Sequence, residues 1–106
     1  MKKCEFYSVH IEKGKKIAKL HSGYTDGTYN YYKAGFTWCA IVPDTGLAAV
    51  NDKTTMSDTA QRAHSIEITD RIARIPAERI AERRTEFEKL VREAQEREIE
   101  NADDAR

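Results

Sequence analysis

Cysteines and long apolar runs are scarce in this 106-residue sequence, and each scarcity excludes a class of protein. Cys4 and Cys39 are too few for a disulfide-rich scaffold or a four-cysteine zinc site, so we expect two reduced thiols. No run approaches the roughly 18 apolar residues of a membrane span, and the charged N-terminal segment does not resemble a secretory signal. We therefore expect a cytoplasmic chain with no membrane partner.

Arginine is absent from residues 1–50 and glycine from residues 47–106, so the chain divides into two unlike halves. Residues 1–50 hold seven lysines and four acidic residues, whereas residues 51–106 hold eleven basic and fourteen acidic residues. The formal net charge of zero therefore conceals a basic first half and an acidic second half. Because glycine marks turns and its absence favours long helices, the sequence predicts strands first and helices second.

A first hairpin is predicted near the start of the chain. Residues 4–11 are rich in aromatic and β-branched side chains, and a second segment at 15–20, which carries Ile17, Ala18 and Leu20, follows a turn at Gly14. Residues 21–35 are small, polar and rich in tyrosine, which predicts a long loop or a short edge strand around residues 29–33.

A second hairpin is predicted around the most hydrophobic run of the chain, residues 36–42. The run ends at a Pro-Asp-Thr-Gly turn, and residues 47–50 follow as the partner strand. Its hydrophobicity predicts a central strand, with Trp38 and Cys39 packed in the core.

The second half begins with a polar link, residues 51–56, in which Thr55 or the following Ser57 can cap a helix. We predict that this helix covers residues 57–75. Residues 65–69 alternate between apolar and polar side chains as a strand would, so helix and strand both remain open for that segment.

A further helix is predicted from residue 77 to 102 by an apolar stripe. The stripe consists of Ile80, Phe87, Leu90, Val91 and Ala94. It either docks on the sheet or forms the seam of a homodimer through the C-terminal helix.

The predicted fold class is α+β in a single domain, residues 1–106. A three- to four-stranded antiparallel sheet occupies residues 3–50, and one or two helices from residues 57–102 pack on one of its faces. Residues 103–106 are predicted to be a frayed tail.

The sequence offers no motif for catalysis, so we expect no enzyme activity, cofactor or metal. His10, His21 and His64 lack metal-ligand spacing, and neither a glycine-rich phosphate loop nor a nucleophile elbow occurs. Cys39 lies inside the most hydrophobic strand, where a buried thiol is unreactive.

Two surfaces are candidates for binding a protein or ribonucleoprotein partner. The first is a cluster rich in tyrosine, which supplies large rigid contact area with a polar tip, although Tyr29 and Tyr31 could instead point into the core. This cluster comprises Tyr24, Tyr29, Tyr31, Tyr32 and Lys33. The second is the acidic side of the last helix, which could enter a basic nucleic-acid groove by charge mimicry. This side comprises Glu82, Glu86, Glu93, Glu96 and Glu100.

The segment from Trp38 to Ala48, followed by Thr54-Thr55 and a helix carrying Ala60, resembles small proteins encoded by phages and mobile elements of bacteria. Such proteins often have a Trp-bearing strand, a Thr-Gly-Leu hairpin and a Thr-capped helix. The resemblance covers about a quarter of the chain. It implies a short domain that binds and blocks host machinery, with anti-CRISPR proteins as one example, and it assigns no site residue.

These observations lead us to expect a non-enzymatic, protein-binding inhibitor that blocks a host nuclease or ribonucleoprotein. The alternative is a small nucleic-acid-binding or regulatory protein that uses the lysine-rich N-terminal sheet. Nucleic acid is the less favoured partner, because the chain is neutral overall and its arginines alternate with glutamates.

Overall fold

A computed structural model describes residues 1–52, 55–64 and 77–104 of the chain. These residues form five strands and two helices: β1 (Lys2–Glu12), β2 (Lys15–Thr25), β3 (Asn30–Ala34), β4 (Thr37–Ile41), β5 (Ala48–Asp52), α1 (Met56–Ala63) and α2 (Ala77–Asp104). The predicted α+β class is confirmed, with five strands where three to four were expected. The additional strand is β3, which the sequence left open between a loop and an edge strand.

The strands follow one another across a single antiparallel sheet in the order β1-β2-β3-β4-β5. Lys13 and Gly14 join β1 to β2, both with positive φ, which matches the twist of a two-residue hairpin turn. The hairpin ladder runs from the pair Glu12 and Lys15 back to Lys2 and Thr25, so β2 extends well past its predicted end. The strand β4 lies between β3 and β5, as its hydrophobicity predicted.

The sheet bends where β2 meets β3. Only two residue pairs join these strands, Tyr24 with Tyr31 and Thr25 with Asn30. Beyond that junction the β1–β2 hairpin folds over, so that the Val9 N–H donates to the carbonyl oxygen of Gly46 at 2.9 Å in the β4–β5 turn. The inner face of the bend encloses a core to which neither of the described helices contributes, made of Phe6, Tyr32, Cys39 and Ile41.

Both helices pack on the outer face of the sheet. The first outer core contacts α1, with Trp38 packed against it, and consists of Tyr29, Tyr31, Ala40, Val50 and Ala63. The second outer core lies beneath α2 and consists of Ala18, Leu90 and Ala94. The sheet therefore separates two helix-covered cores from one core that the sheet itself closes.

The starts of both helices agree with their sequence signals. Thr55 caps α1, because its hydroxyl accepts the backbone N–H of Asp58 at 3.2 Å. The helix α1 ends at Ala63 with His64 as its C-cap, twelve residues before its predicted end, and residues 65–75 of the prediction, including the segment 65–69, lie outside the described residues. The helix α2 extends two residues past its predicted end, so only residues 105–106 of the predicted tail lie outside the description.

Candidate functional site

Three of the four tyrosines of the predicted cluster are buried. Tyr29 and Tyr31 pack beneath α1, and Tyr32 points to the inner core on the other face of β3. The strand β3 lies between β2 and β4 and not at an edge, and both of its faces are covered, one by α1 and the other by the inner core. Their side chains therefore build the core, as the alternative for Tyr29 and Tyr31 anticipated, whereas Tyr24 is partly exposed and Lys33 is exposed.

Asp26 organises the turn between β2 and β3. One carboxylate oxygen accepts the backbone N–H groups of Thr28 at 2.9 Å and Tyr29 at 2.8 Å. The other accepts the Tyr31 hydroxyl at 2.5 Å and lies 2.8 Å from Nε2 of His64, which follows α1. Asp26 therefore ties the turn, the buried tyrosine and the end of α1 together.

Two opposing effects act on the Asp26 carboxyl. Burial tends to raise its pKa, but hydrogen bonds from Tyr29, Tyr31, His64 and Thr28 outweigh burial and hold the pKa well below its usual range. Burial, and then the bond to Asp26, raise the pKa of Tyr31 far above its usual value. At neutral pH the carboxylate is charged and the phenol keeps its proton.

A second polar cluster lies on the inner face of the β1–β2 hairpin. The Nε2 atoms of His10 and His21 are 2.9 Å apart, and the Ser8 hydroxyl oxygen is 2.7 Å from the same His10 nitrogen. Tyr32 stacks on His21, with ring centroids 3.8 Å apart and planes within 10°. Phe6 packs against the same two rings, so the cluster continues into the inner core.

This cluster does not have the geometry of a nucleophilic triad. In a triad the base accepts from the nucleophile through one ring nitrogen and is oriented through the other. Here Ser8 and His21 both meet Nε2 of His10, so that nitrogen plays the same role, donor or acceptor, toward each of them. Ser8 also has no exposed surface from which to reach a substrate.

Burial is the main reason that the pKa of His10 and of His21 is lowered, and the charge of Lys19 lowers both further. Burial likewise raises the pKa of the Cys39 thiol, which favours its protonated form. Both cysteines are free, as expected, and Cys39 is buried. At neutral pH the described cluster therefore consists of uncharged imidazoles.

The glutamates of the second predicted surface lie on one flank of α2. Glu82, Glu86, Glu93 and Glu96 are exposed, and for Glu100 the structure describes only the backbone. Glu86 lies 3.4 Å from Lys16 on β2, and Glu93 lies 4.0 Å from Lys89 one turn earlier. These contacts are between exposed groups, so they leave most of the negative charge facing solvent.

The apolar stripe of α2 faces the protein's own sheet. Leu90 and Ala94 are buried against Ala18, and the Phe87 ring closes over Gly46, where a Cβ would overlap it. Beside this contact, the exposed Arg84 side chain of α2 forms an ion pair with Asp44 at 3.1 Å. Phe87, Leu90, Val91 and Ala94 of the stripe thus pack on the sheet, as the docking alternative predicted.

Some of the lysines that the nucleic-acid alternative requires form ion pairs with acidic side chains of this chain. Lys16 pairs with Glu86, and Lys19 pairs with Glu12 across the hairpin. Lys13 and Lys15 at the hairpin turn are exposed. The basic charge of the first half is therefore partly balanced by acidic side chains of β1 and α2.

Sequence reasoning missed both the histidine cluster and one exposed aromatic side chain. His10 and His21 were treated as scattered, because their approach depends on the β1–β2 register and on the bend of the sheet. Phe36 was placed in a hydrophobic strand, but it lies in the β3–β4 turn with 89% of its surface exposed. The preceding Gly35 has a φ of +62°, a turn signal that the sequence could have supplied.

The chain is a small α+β domain in which a bent five-stranded sheet carries two helices on its outer face. No protein-family model, curated protein or solved structure matches it. Within the described part of the chain, no helix is long and apolar enough to span a membrane. Among the same residues, no group of three or more His, Cys, Asp or Glu side chains is arranged to hold a metal ion.

Proposed function

We propose that the chain is a non-enzymatic protein-binding inhibitor that acts in the cytoplasm of a bacterial host and blocks a nuclease or ribonucleoprotein. The observation that supports this proposal is the row of exposed glutamates on a helix anchored along its opposite side. Because Leu90 and Ala94 fix α2 on the sheet, the row keeps its geometry without a partner. Because the helix is already ordered, binding a partner would cost this chain little backbone conformational entropy.

The row of glutamates extends along several turns of α2. At 1.5 Å per residue, Glu82 and Glu96 lie about 21 Å apart along the helix axis. Basic grooves that hold nucleic-acid backbones present several cations over such a distance, and a carboxylate row offers them matching charges. We place the contact on Glu82, Glu93 and Glu96, with Glu86 paired with Lys16 and Glu93 at 4.0 Å from Lys89.

Capture from a nuclease-treated bacterial lysate tests the proposal. The bait is the purified chain, and the reversal variant carries Glu93→Lys together with Glu96→Lys. We expect wild type to retain a protein at low salt, to release it as salt rises, and the reversal variant to retain about tenfold less.

A matched control changes the same charge elsewhere. Glu5 on β1 and Glu88 on the other side of α2 are also exposed, so Glu5→Lys with Glu88→Lys alters net charge equally. The control variant should retain the partner as wild type does. Equal losses in both variants, no loss in the reversal variant, or retention of nucleic acid alone would each contradict the proposal.

A further inference from the structure

Three donor atoms converge on the inner face of the β1–β2 hairpin. In the β1–β2 ladder, His10 pairs with Ile17 and His21 pairs with Phe6, four positions along β1. Ser8 lies midway between Phe6 and His10 on the same face, and the two histidine rings approach each other above it. The Nε2 atoms are 2.9 Å apart, and Ser8 Oγ is 2.7 Å from that of His10. Both imidazoles are half-buried, whereas Ser8 is fully buried.

We propose that His10, His21 and Ser8 form a binding site for a transition-metal dication of the Zn²⁺ type. Imidazole nitrogen is the ligand such ions prefer, and the Nε2 atoms of His10 and His21 lie within hydrogen-bond distance of each other. Tetrahedral coordination at about 2.0–2.1 Å per Zn–N bond separates the two nitrogens by about 3.3 Å. The present separation is about 0.4 Å shorter, which small rotations of the two rings supply.

Charged neighbours of the cluster act on a bound cation. Imidazole binds a metal ion through the lone pair of its neutral form. The charge of Lys19 acts on both histidines and opposes binding, but Glu12 pairs with Lys19 and balances its charge. Cys39 lies in the adjoining core and is not part of the proposed ligand set.

Two imidazoles and a hydroxyl make an open site and not a closed structural one. Structural zinc sites use four strong protein ligands, whereas sites with fewer keep a position for water or a substrate group. We therefore expect affinity well below that of a four-ligand site, and a coordination position free for an outside donor. This inference is independent of the acidic row on α2, which lies on the other face of the sheet.

Calorimetric titration of the full chain with Zn²⁺ at neutral pH tests the site. We expect one ion per chain, with affinity about tenfold weaker or worse in His10→Gln and in His21→Gln. The matched control is His64→Gln, because His64 pairs with Asp26 outside the cluster. Circular dichroism of each variant separates loss of a ligand from loss of the fold.

Two further measurements test the site without the glutamine variants, in case those variants unfold. Lys19→Met removes the opposing cation and should tighten Zn²⁺ binding several-fold. Co²⁺ bound to wild type should show nitrogen and oxygen ligation, with no thiolate charge-transfer band. Absence of Zn²⁺ binding by wild type, a thiolate band, weakened binding in His64→Gln, or unchanged binding in both folded glutamine variants would overturn the assignment.

Discussion

Gly23 determines how closely β2 can approach β3. A Cβ at this position would overlap the carbonyl oxygen of Tyr31 and touch the Phe6 ring, although the backbone conformation itself is open to any residue. Because the obstacle is main chain, it cannot rotate away. The absence of a side chain at Gly23 therefore allows the sheet to bend at the two-pair junction between these strands.

We expect Gly23→Ala to destabilise the protein by about 1–3 kcal/mol or more, since overpacking displaces backbone. The comparison is Gly14→Ala, where the added Cβ meets nothing and only the positive φ of +76° is unfavourable. Chemical denaturation of both variants measures the two free energies of unfolding. A cost at residue 23 no greater than at residue 14 would mean that the junction has room to relax.

Asp26 makes stability depend on acid. Its folded pKa lies below the unfolded value of about 3.9, so its contribution is complete above that pH and is lost as pH falls toward the folded pKa. We expect Asp26→Asn to cost about 1–3 kcal/mol near neutrality, because the bonds to Tyr31 and His64 weaken. The difference between wild type and variant should shrink as pH drops below about 4. Denaturation midpoints measured across that range check this, and a difference independent of pH would contradict it.

At the scale of the elements, the docking of α2 depends on a few apolar contacts. Leu90 is 8% exposed and packs on Ala18, whereas Leu20, of the same residue type on β2, is 43% exposed. We expect Leu90→Ala to cost about 2–5 kcal/mol and Leu20→Ala much less, because only the first leaves a cavity. Thermal unfolding followed by circular dichroism measures both, and equal costs would show that α2 is not anchored at Leu90.

The elements that follow local signals were predictable from the sequence. Thr55 caps α1, the Pro43 to Gly46 turn ends β4, and the apolar stripe of α2 faces the sheet, as their patterns predicted. Each of these features depends on neighbours within a few residues or on one helical period. The tyrosine segment was harder, because a five-residue strand of polar composition becomes central only through its partners β2 and β4.

What escaped prediction depends on contacts between distant strands. Tyr31 and Tyr32 are adjacent in sequence, yet they lie in different cores, and this separation follows from the pleat once β3 is known to be a strand. The approach of His10 to His21 requires the hairpin register, and their stacking with Tyr32 requires the bend. No local sequence pattern specifies this bend. It depends on the two residue pairs that join β2 to β3 and on the close approach of Gly23 to the Tyr31 main chain.

At the scale of the whole molecule, the bent sheet links all three cores. The strand β4 contributes Ala40 to the core beneath α1 and Cys39 to the inner core. The Val9 N–H bond to Gly46 joins the first hairpin to the β4–β5 turn, over which Phe87 of α2 closes. Loosening one core therefore removes support from the others, which is the structural basis of an all-or-none transition.

Trp38 provides a direct test of that coupling. It is the single tryptophan and packs against the core beneath α1, whereas α2 supplies most of the described helix and therefore dominates the circular dichroism signal. We expect fluorescence and dichroism to give coincident unfolding curves, because both helices depend on the same sheet. Leu90→Ala should shift both curves together, although Leu90 lies in the core beneath α2 and Trp38 beside the core beneath α1. A dichroism transition that precedes the fluorescence transition would show instead that α2 detaches from a sheet that remains folded.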